Sequence, residues 1–270
     1  MQLVRHFRQA CHQLGIKPHI LGLDSSPSLA PAAYYCNQAI RVPAGDEPEF
    51  PRIIAQIVAE HGVGLLVPLA DTDLIALAGV REMLSDRGCL PALCGPGTTA
   101  IARDKLQTYQ FLRNLGLHTP ATRPLSDVLV DRRADLPVFV KPRFGSAGKN
   151  AFAVDSWELP SWLVARRDEF VCQDRLVGQE VTVDLFVDPA RVCRCVVPRH
   201  RLEVRGGEVT KSVVRLDAAI ARQVETIAGA LPDPFGVINI QGFIDKAGCV
   251  HWTEINPRFG GGSPLAIEAG

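Results

Sequence analysis

The most informative stretch of this sequence lies near its C-terminus and reads Trp252-Thr253-Glu254-Ile255-Asn256-Pro257-Arg258-Phe259-Gly260-Gly261-Gly262. An apolar beginning and a proline- and glycine-rich end are typical of a strand that enters a loop. Because side chains alternate between the two faces of a strand, one face is predicted to carry Val250, Trp252, Glu254 and Asn256. Glu254 and Asn256 then end the strand as neighbouring oxygen donors, which are ligands that Mg²⁺ accepts in proteins.

Arg258 follows Asn256 closely, and its planar guanidinium has the geometry that suits a phosphate group. The glycines at residues 260–262 allow either a close approach of the backbone to a ligand or simply a tight turn. From the residue types alone, ordinary polar residues at a strand end, followed by a flexible loop, are an equally good interpretation.

A second strand is predicted immediately before the first, over residues 237–245, with Asn239 and Gln241 on one face. A short hairpin-type loop at residues 246–248 joins the two strands. Antiparallel pairing would place Gln241, Glu254 and Asn256 in one patch.

In this arrangement the polar residues of the hairpin resemble the metal and phosphate end of ATP-grasp superfamily proteins. The residues that carry the resemblance are Gln241, Glu254, Asn256 and Arg258. The similarity is to proteins related to the large subunit of carbamoyl-phosphate synthase, and it runs along nearly the whole chain.

The resemblance implies an α/β protein, α+β in its ATP-grasp part. A Rossmann-like N-terminal pre-ATP-grasp domain over residues 1–95 would precede a two-subdomain ATP-grasp fold. Its A subdomain would span residues 96–168 and its B subdomain residues 169–270. Relatives open on a strand and continue beyond a C-terminal helix, so we expect the first strand to be missing and the C-terminus to be incomplete.

The charge balance and the hydrophobic pattern of the sequence limit the kinds of binding partner that we expect. Lys and Arg together number 29, as do Asp and Glu, so the charge balance gives no reason to expect a nucleic-acid or membrane partner. No apolar run approaches the ~20 residues of a membrane span, and the N-terminal residues lack a signal-peptide core. The 8 cysteines show no CxxC pair, and most are expected to be small buried hydrophobes in a reducing cytosol. We therefore expect a cytoplasmic protein.

Strands and helices alternate over the first third of the chain, which predicts a parallel α/β layer. Apolar spacing predicts helices over residues 3–14, 51–61 and 74–87, and short apolar runs predict strands over residues 18–24, 64–69 and 90–94.

Two lysines lie in the middle of the chain. A helix is predicted over residues 98–115, and the resemblance implies that Lys105 on it reaches the nucleotide phosphates, although residue type alone favours a solvated lysine. An apolar strand ends on Lys141, whose compact ammonium can hold a phosphate. Backbone N–H groups of the following small-residue loop, which contains Ser146 and Gly148, are candidates to cover the phosphates.

This loop is not a Walker P-loop. That pattern requires a glycine where this chain has Arg143 and a Ser or Thr where it has Asn150.

The resemblance assigns the next segment to the nucleotide. Gln173 and Leu176 would lie at the adenine edge and Glu180 at the ribose. Alternation places Glu180, Thr182 and Asp184 on one strand face. The solvent face of an antiparallel sheet is the favoured interpretation for Asp184 and an equal one for Glu180.

A basic run follows, with Arg199, His200, Arg201 and Arg205. In relatives, arginines here face the acceptor substrate and the transferred phosphate, which implies a catalytic role for Arg201. Solvated residues of a hairpin are an equally good interpretation for any single one, and for His200 a surface position is favoured over a general base.

The implied reaction is ATP-dependent joining of a carboxylate to an amine through an acyl phosphate, with Mg²⁺ (or Mn²⁺) as cofactor. Predicted catalytic residues are Arg258, Arg201 and Lys141. Predicted metal ligands are Gln241, Glu254 and Asn256. Partners would be ATP and small molecules, and the sequence leaves the oligomeric state open, a homodimer included.

Two alternatives are weighed against this ligase. One is an ATP-binding module or inactive fragment of a carbamoyl-phosphate synthase-like protein. The other, a Rossmann NAD(P) enzyme, is weak because no Gly-x-Gly-x-x-Gly follows the first predicted strand.

Overall fold

The computed structural model of the protein describes residues 1–131, 134–145, 148, 150–205 and 208–270, with only the backbone at Glu208. Contacts divide the chain into two compact units, one of residues 1–92 with 262–270 and the other of residues 93–261. The division of the ATP-grasp part at residue 168 stays a prediction.

The first unit alternates helices with short strands. Its elements are α1 (Gln2–Gln13), β1 (Leu21–Asp24), β2 (Gln38–Arg41), α2 (Phe50–His61), β3 (Leu65–Leu66), α3 (Asp71–Ala78), α4 (Arg81–Asp86) and β4 (Leu90–Pro91). Strand β1 pairs in parallel with β2, and β3 pairs in parallel with β4. The predicted parallel pairing is therefore present, but it is divided between two separate two-stranded sheets.

The helix predicted over residues 74–87 is wrong in one respect, because the chain forms two helices, α3 and α4. Helix α3 ends at Gly79, and glycine is a poor helix former. Strand β2 was not predicted, since its residues are mostly exposed and form no apolar run.

The second unit is built on two antiparallel sheets. Its elements are α5 (Pro96–Arg103), α6 (Lys105–Asn114), β5 (Thr122–Pro124), α7 (Leu125–Asp131), β6 (Val138–Pro142), β7 (Phe152–Val154), α8 (Ser161–Ala165), β8 (Phe170–Asp174), β9 (Gln179–Val187), β10 (Cys193–Arg205), β11 (Glu208–Val214), α9 (Ala218–Ala230), β12 (Gly236–Ile244) and β13 (Val250–Asn256). Helix α10 (Ser263–Glu268) follows and belongs to the first unit.

The small sheet has the strand order β5-β8-β6-β7. Its core is a cluster of buried apolar side chains from the strands and from α7 and α8, which includes Leu125, Val140, Leu163 and Phe170. Burying these side chains removes apolar surface from water and so stabilises β6 within the sheet. Lys141, near the end of β6, is therefore held by a well-packed strand.

The large sheet has the strand order β11-β10-β9-β12-β13. One face is apolar and packs with residues of α6 and α9; it includes Val183, Leu185, Ile238, Ile240 and Trp252. The alternate residues of β9 and β12 must then lie on the opposite face, which is polar. This polar face carries most of the residues discussed below.

A β-bulge in β13 overturns one prediction. Gln241 pairs with Glu254, whereas Gly242 pairs with Trp252, so Thr253 is an extra residue. Trp252 is fully buried in the core. The extra residue moves Glu254 and Asn256 to the other face, so they do not share a face with Val250 and Trp252 as predicted.

The helix predicted over residues 98–115 is likewise two helices, α5 and α6. Asp104 separates them, because its extended backbone ends α5 and its side chain accepts a hydrogen bond from the Leu106 N–H, at 3.0 Å, as the N-cap of α6.

No helix in the described ranges combines the length and the apolar character needed to cross a membrane. The expectation that most of the eight cysteines are buried is wrong, because only Cys89, Cys94 and Cys172 are buried, and Cys195 and Cys249 are exposed.

Candidate active site

A cleft of about 660 Å³ lies in the second unit, with walls from both sheets. It brings together most of the residues that the sequence predicts for a site. Those on its walls are Lys105, Lys141, Gly148, Gln173, Leu176, Glu180, Arg201, Gln241 and Glu254.

Lys141 links the two sheets across this cleft. Its residue is only 5% exposed, and its Nζ donates to Oε1 of Glu254 at 3.2 Å. One partner comes from β6 of the small sheet and the other from β13 of the large sheet. Because the Glu254 side chain is 33% exposed, its carboxylate remains accessible to a further ligand.

Lys105 is placed by the junction between α5 and α6. Its Nζ donates to the carbonyl oxygen of Gly145 at 2.8 Å. The neighbouring Asp104 is buried and accepts two hydrogen bonds from Arg143, from Nε at 2.9 Å and Nη2 at 2.6 Å. This bidentate pair ties the start of α6 to the end of β6 and so holds Lys105 near Lys141, although the two elements are distant in sequence.

The Asp104 carboxylate stays ionised in this junction. Burial alone would raise its pKa, but the hydrogen bonds from Arg143 and from the Leu106 N–H outweigh burial and hold the pKa below its ordinary value. Sequence analysis did not assign Asp104 or Arg143 to the site.

Glu180 and Arg201 pair on the cleft wall, with Nη1 of Arg201 at 2.8 Å from Oε2 of Glu180. They come from the adjacent strands β9 and β10. His200 lies between Arg199 and Arg201 on β10 and so points to the opposite face. Burial, with a smaller effect of Arg215, lowers the His200 pKa.

Gln173, on β8 of the small sheet, is buried and also lines the cleft. Its Nε2 donates to Oγ1 of Thr122 at 2.8 Å, and that hydroxyl donates to the Pro120 carbonyl at 2.9 Å. The Gln173 side chain is therefore held in one orientation beside Leu176, which also lines the cleft.

The predicted small-residue loop is described only in part. Gly148 lines the cleft with a φ of 64°, which is the left-handed region that favours glycine. Ser146 lies outside the described residues.

At the predicted metal end, Gln241 and Glu254 are directly opposite each other on β12 and β13. Asn256 lies opposite Asn239 in the next pair on the same face of the hairpin. Among the described residues, the cleft lining includes neither Asn256 nor Arg258. Arg258 donates through Nη1 to the carbonyl of Phe259 at 3.1 Å, and its N–H donates to the Asn256 carbonyl at 2.8 Å.

The donor set fits a hard cation. Gln241, Glu254 and Asn256 offer amide and carboxylate oxygens, and a small cation such as Mg²⁺ uses few protein oxygens together with phosphate and water. Among the described residues there is no group of three or more His, Cys, Asp or Glu side chains that could hold a metal ion.

A buried polar row lies beside these residues and was missed. Arg199 is 1% exposed, and its Nε donates to Oδ2 of Asp184 at 2.6 Å. Nδ2 of Asn239 donates to Oδ1 of Asp184 at 2.8 Å. The solvent-face interpretation of Asp184 and the solvated-hairpin interpretation of Arg199 are therefore both wrong.

Comparison with known proteins agrees with this architecture. Residues 102–262 match the family described as ATP-grasp domain, and residues 1–92 match that described as PylC-like, N-terminal domain.

Two curated relatives cover part of the chain. A D-alanine--D-alanine ligase of Fusobacterium nucleatum is 23% identical over 168 residues, which are 58% of this chain and 57% of the relative. A carbamoyl-phosphate synthase of Methanobrevibacter smithii is 25% identical over 156 residues, 56% of this chain and 41% of the relative. The chain thus spans about half the length of the curated relatives that it matches.

Among solved structures, the L-amino acid ligase from Bacillus licheniformis superposes with a TM-score of 0.73. It is 21% identical, and the match covers 98% of this chain and 66% of that chain. This likeness confirms the predicted fold class, a Rossmann-like N-terminal domain followed by a two-subdomain ATP-grasp fold.

Proposed function

The chain belongs to the ATP-grasp family, and on that premise we propose that it is an ATP-dependent ligase that joins a carboxylate to an amine. The observation that carries this proposal is the 3.2 Å contact between Lys141 and Glu254. It brings a phosphate-binding cation of the small sheet and a metal-binding carboxylate of the large sheet to one cleft, as phosphoryl transfer requires.

The nucleotide would lie along the cleft between the sheets. Lys105 and Lys141 hold its phosphates, and Ser146 and Gly148 belong to the loop that covers them. Gln173 and Leu176 contact the adenine, and Glu180 binds the ribose. The support for these roles is the common lining of the cleft, apart from Ser146, which lies outside the described residues.

Mg²⁺ (or Mn²⁺) would be held by Gln241 and Glu254, with Asn256 at the end of the same strand. When bound, the cation supplies Lewis-acid and charge-neutralising chemistry to the phosphates. The mutual pairing of Lys141 and Glu254 keeps both groups in position in the free protein, so that neither charge is buried alone.

The reaction has two steps that balance. A carboxylate oxygen of the first substrate attacks the γ-phosphorus of ATP, and the bond from that phosphorus to the oxygen that bridges the β- and γ-phosphates breaks. ADP is the leaving group, and the substrate becomes an acyl phosphate. The amine then attacks the acyl carbon, the phosphate leaves, and the amine loses a proton. Arg258 and Arg201 stabilise the negative charge that develops on the transferred group.

The proposal extends to small-molecule carboxylate and amine partners, a cytoplasmic location and a homodimer, without nucleic acid or membrane. Balanced charge supports the small-molecule partners. Light scattering of the purified protein measures the assembly directly.

A screen of ADP release tests the proposal. The protein is incubated with ATP and Mg²⁺, and amino acids and small carboxylates are supplied singly and in pairs while a coupled assay follows ADP. We expect ADP release that depends on a carboxylate acceptor, with an amide product visible by mass spectrometry. ATP binding by calorimetry without any acceptor-dependent release would contradict the ligase.

That contrary outcome would favour a second candidate, an ATP-binding module or inactive fragment of a carbamoyl-phosphate synthase-like protein. The observation in its favour is the similarity itself, because 156 residues of the chain are 25% identical to the carbamoyl-phosphate synthase relative.

A further inference from the structure

The buried polar row on the large sheet leads directly to the cation end of the cleft. Asp184, Asn239 and Asn256 occupy one row across β9, β12 and β13, because Asn239 pairs with each of the other two. In the next row on the same face of the sheet, Gln241 pairs with Thr182 and with Glu254. Asn239 thus lies beside Gln241, two residues away along β12, and Asp184 lies diagonally from Gln241 on β9.

The hydrogen-bond polarity of this row is fixed at its buried end. The Arg199 guanidinium can only donate, and an ionised carboxylate can only accept. Nε of Arg199 donates to Oδ2 of Asp184 at 2.6 Å, and any group within hydrogen-bond distance of Oδ1 must likewise be a donor. Asn239 lies at this distance and must therefore present its NH₂ to Asp184, as its Nδ2 does at 2.8 Å.

The orientation of Asn239 in turn constrains the side-chain amide of Gln241. Because an amide is planar, an Asn239 whose nitrogen faces Asp184 turns its oxygen the other way. Oδ1 of Asn239 can only accept, and Nε2 of Gln241 lies 3.4 Å from it. A Gln241 whose nitrogen faces Asn239 turns its Oε1 away from the row, and this side chain lines the cleft next to Glu254.

We propose that Asp184 and Asn239 are positioning residues that make Gln241 present its oxygen, rather than its NH₂, to the catalytic cation. An unconstrained glutamine can present either end, and the NH₂ end repels a cation. The inference rests on the proposed function, since it concerns the same cation site.

This orienting relay from Asp184 through Asn239 to Gln241 predicts an exception that a merely structural role does not. The Gln241→Glu variant has two side-chain oxygens at this position and needs no orientation. In the Gln241→Glu background Oδ1 of Asn239 faces a carboxylate oxygen, and these two acceptors repel each other. Asp184→Asn allows the Asn239 amide to turn and Asn239→Ala removes it, so either change relieves the repulsion. Asp184→Asn and Asn239→Ala should therefore impair cation binding only when residue 241 is glutamine.

The test measures binding of Mn²⁺ to the protein saturated with ADP, with free Mn²⁺ counted by electron paramagnetic resonance. With Gln241, Asp184→Asn and Asn239→Ala should each weaken Mn²⁺ binding by about fivefold, the effect of one side-chain hydrogen bond. In the Gln241→Glu background each should change Mn²⁺ binding by less than about twofold.

Thermal unfolding of the metal-free variants keeps this test decisive. Asp184→Asn leaves the buried charge of Arg199 uncompensated and is the variant at risk of not folding. Asn239→Ala retains the ion pair, so if Asp184→Asn does not fold, Asn239→Ala alone provides the comparison between the two backgrounds. Equal losses of Mn²⁺ affinity in both backgrounds, or no loss with Gln241, overturn the relay while leaving the ligase intact. A wild-type protein that binds ADP but no Mn²⁺ overturns both proposals.

Discussion

Two ion pairs on the polar side of the large sheet differ in almost every physical respect. Lys141 and Glu254 meet across a cleft at 3.2 Å, and one of the two side chains is a third exposed. Arg199 and Asp184 meet between adjacent strands at 2.6 Å, with side chains that are 1% and 8% exposed. The first pair joins two sheets and the second lies within one.

This difference indicates which of the two ion pairs can exchange its partners for bound ligands. A pair that lines a cleft can exchange its partners for a phosphate and a cation at little cost, because the incoming ligands replace the counter-charge that each residue releases. A desolvated pair cannot, since a lone charge left in the interior is strongly unfavourable. We therefore infer that the Lys141 pair serves binding and turnover, while the Arg199 pair serves structure and orientation.

The largest expected effect is on turnover at the first pair. Lys141→Met and Glu254→Gln should each lower acceptor-dependent ADP release by about 10²–10³-fold, because each removes a charge that stabilises phosphoryl transfer. The midpoint of thermal unfolding should change little for Lys141→Met, since the remaining Glu254 side chain is 33% exposed. Glu254→Gln leaves the buried Lys141 with an amide oxygen in place of the carboxylate, so a moderate fall in the midpoint is expected for this variant. Unfolding as severe as that of an Arg199 variant would erase the distinction between the pairs.

The second effect is on stability at the other pair. Arg199→Met should lower the free energy of unfolding by about 3–5 kcal/mol, because it leaves the Asp184 carboxylate buried without its cation. Urea denaturation measures this loss. The matched control is the double variant Arg199→Met with Asp184→Leu, which removes both charges and should recover most of the stability. A single variant as stable as the wild type would contradict the assignment.

The sequence predicted one of these regions much better than the other. The hairpin of β12 and β13 was predictable because two strands of period two flank a short loop, and antiparallel pairing does bring Gln241 opposite Glu254. The face of Glu254 was predicted wrongly, since the pattern contains no direct sign of an extra residue.

A local signal for that bulge does exist. Gly242 lies where the register shifts, and a Cβ there would come within 2.7 Å of the His251 carbonyl oxygen. A glycine inside a strand pattern often marks such a bulge.

The buried row could not be read from the sequence in the same way. Arg199 and Asp184 become partners only because β10 lies beside β9, and Asn239 joins them only because β12 lies on the other side. Strand order is a tertiary property, and residue types alone favour solvent for an arginine and an aspartate on a sheet. The junction of Asp104 with Arg143 was missed for the same reason, since α6 and β6 meet only in the folded chain.

The smallest expected effect tests how tightly the buried row is held, and it uses a residue with no polar side chain. A Cβ on Gly260 would lie 2.8 Å from Nδ2 of Asn239, the atom that donates to Asp184. Gly260→Ala should therefore displace the Asn239 amide by a few tenths of an ångström and weaken Mn²⁺ binding in the presence of ADP by about twofold, less than the loss of a whole hydrogen bond.

Gly229→Ala is its matched control, because a Cβ at that position in α9 meets nothing within 4 Å. This control should leave Mn²⁺ binding unchanged and raise the free energy of unfolding by about 0.5–1 kcal/mol, as expected for alanine in place of a helical glycine. If Gly260→Ala lowers stability but leaves Mn²⁺ affinity unchanged, the Asn239 amide can move without turning the Gln241 amide. That result would contradict a close coupling of Gln241 to Asp184 through Asn239.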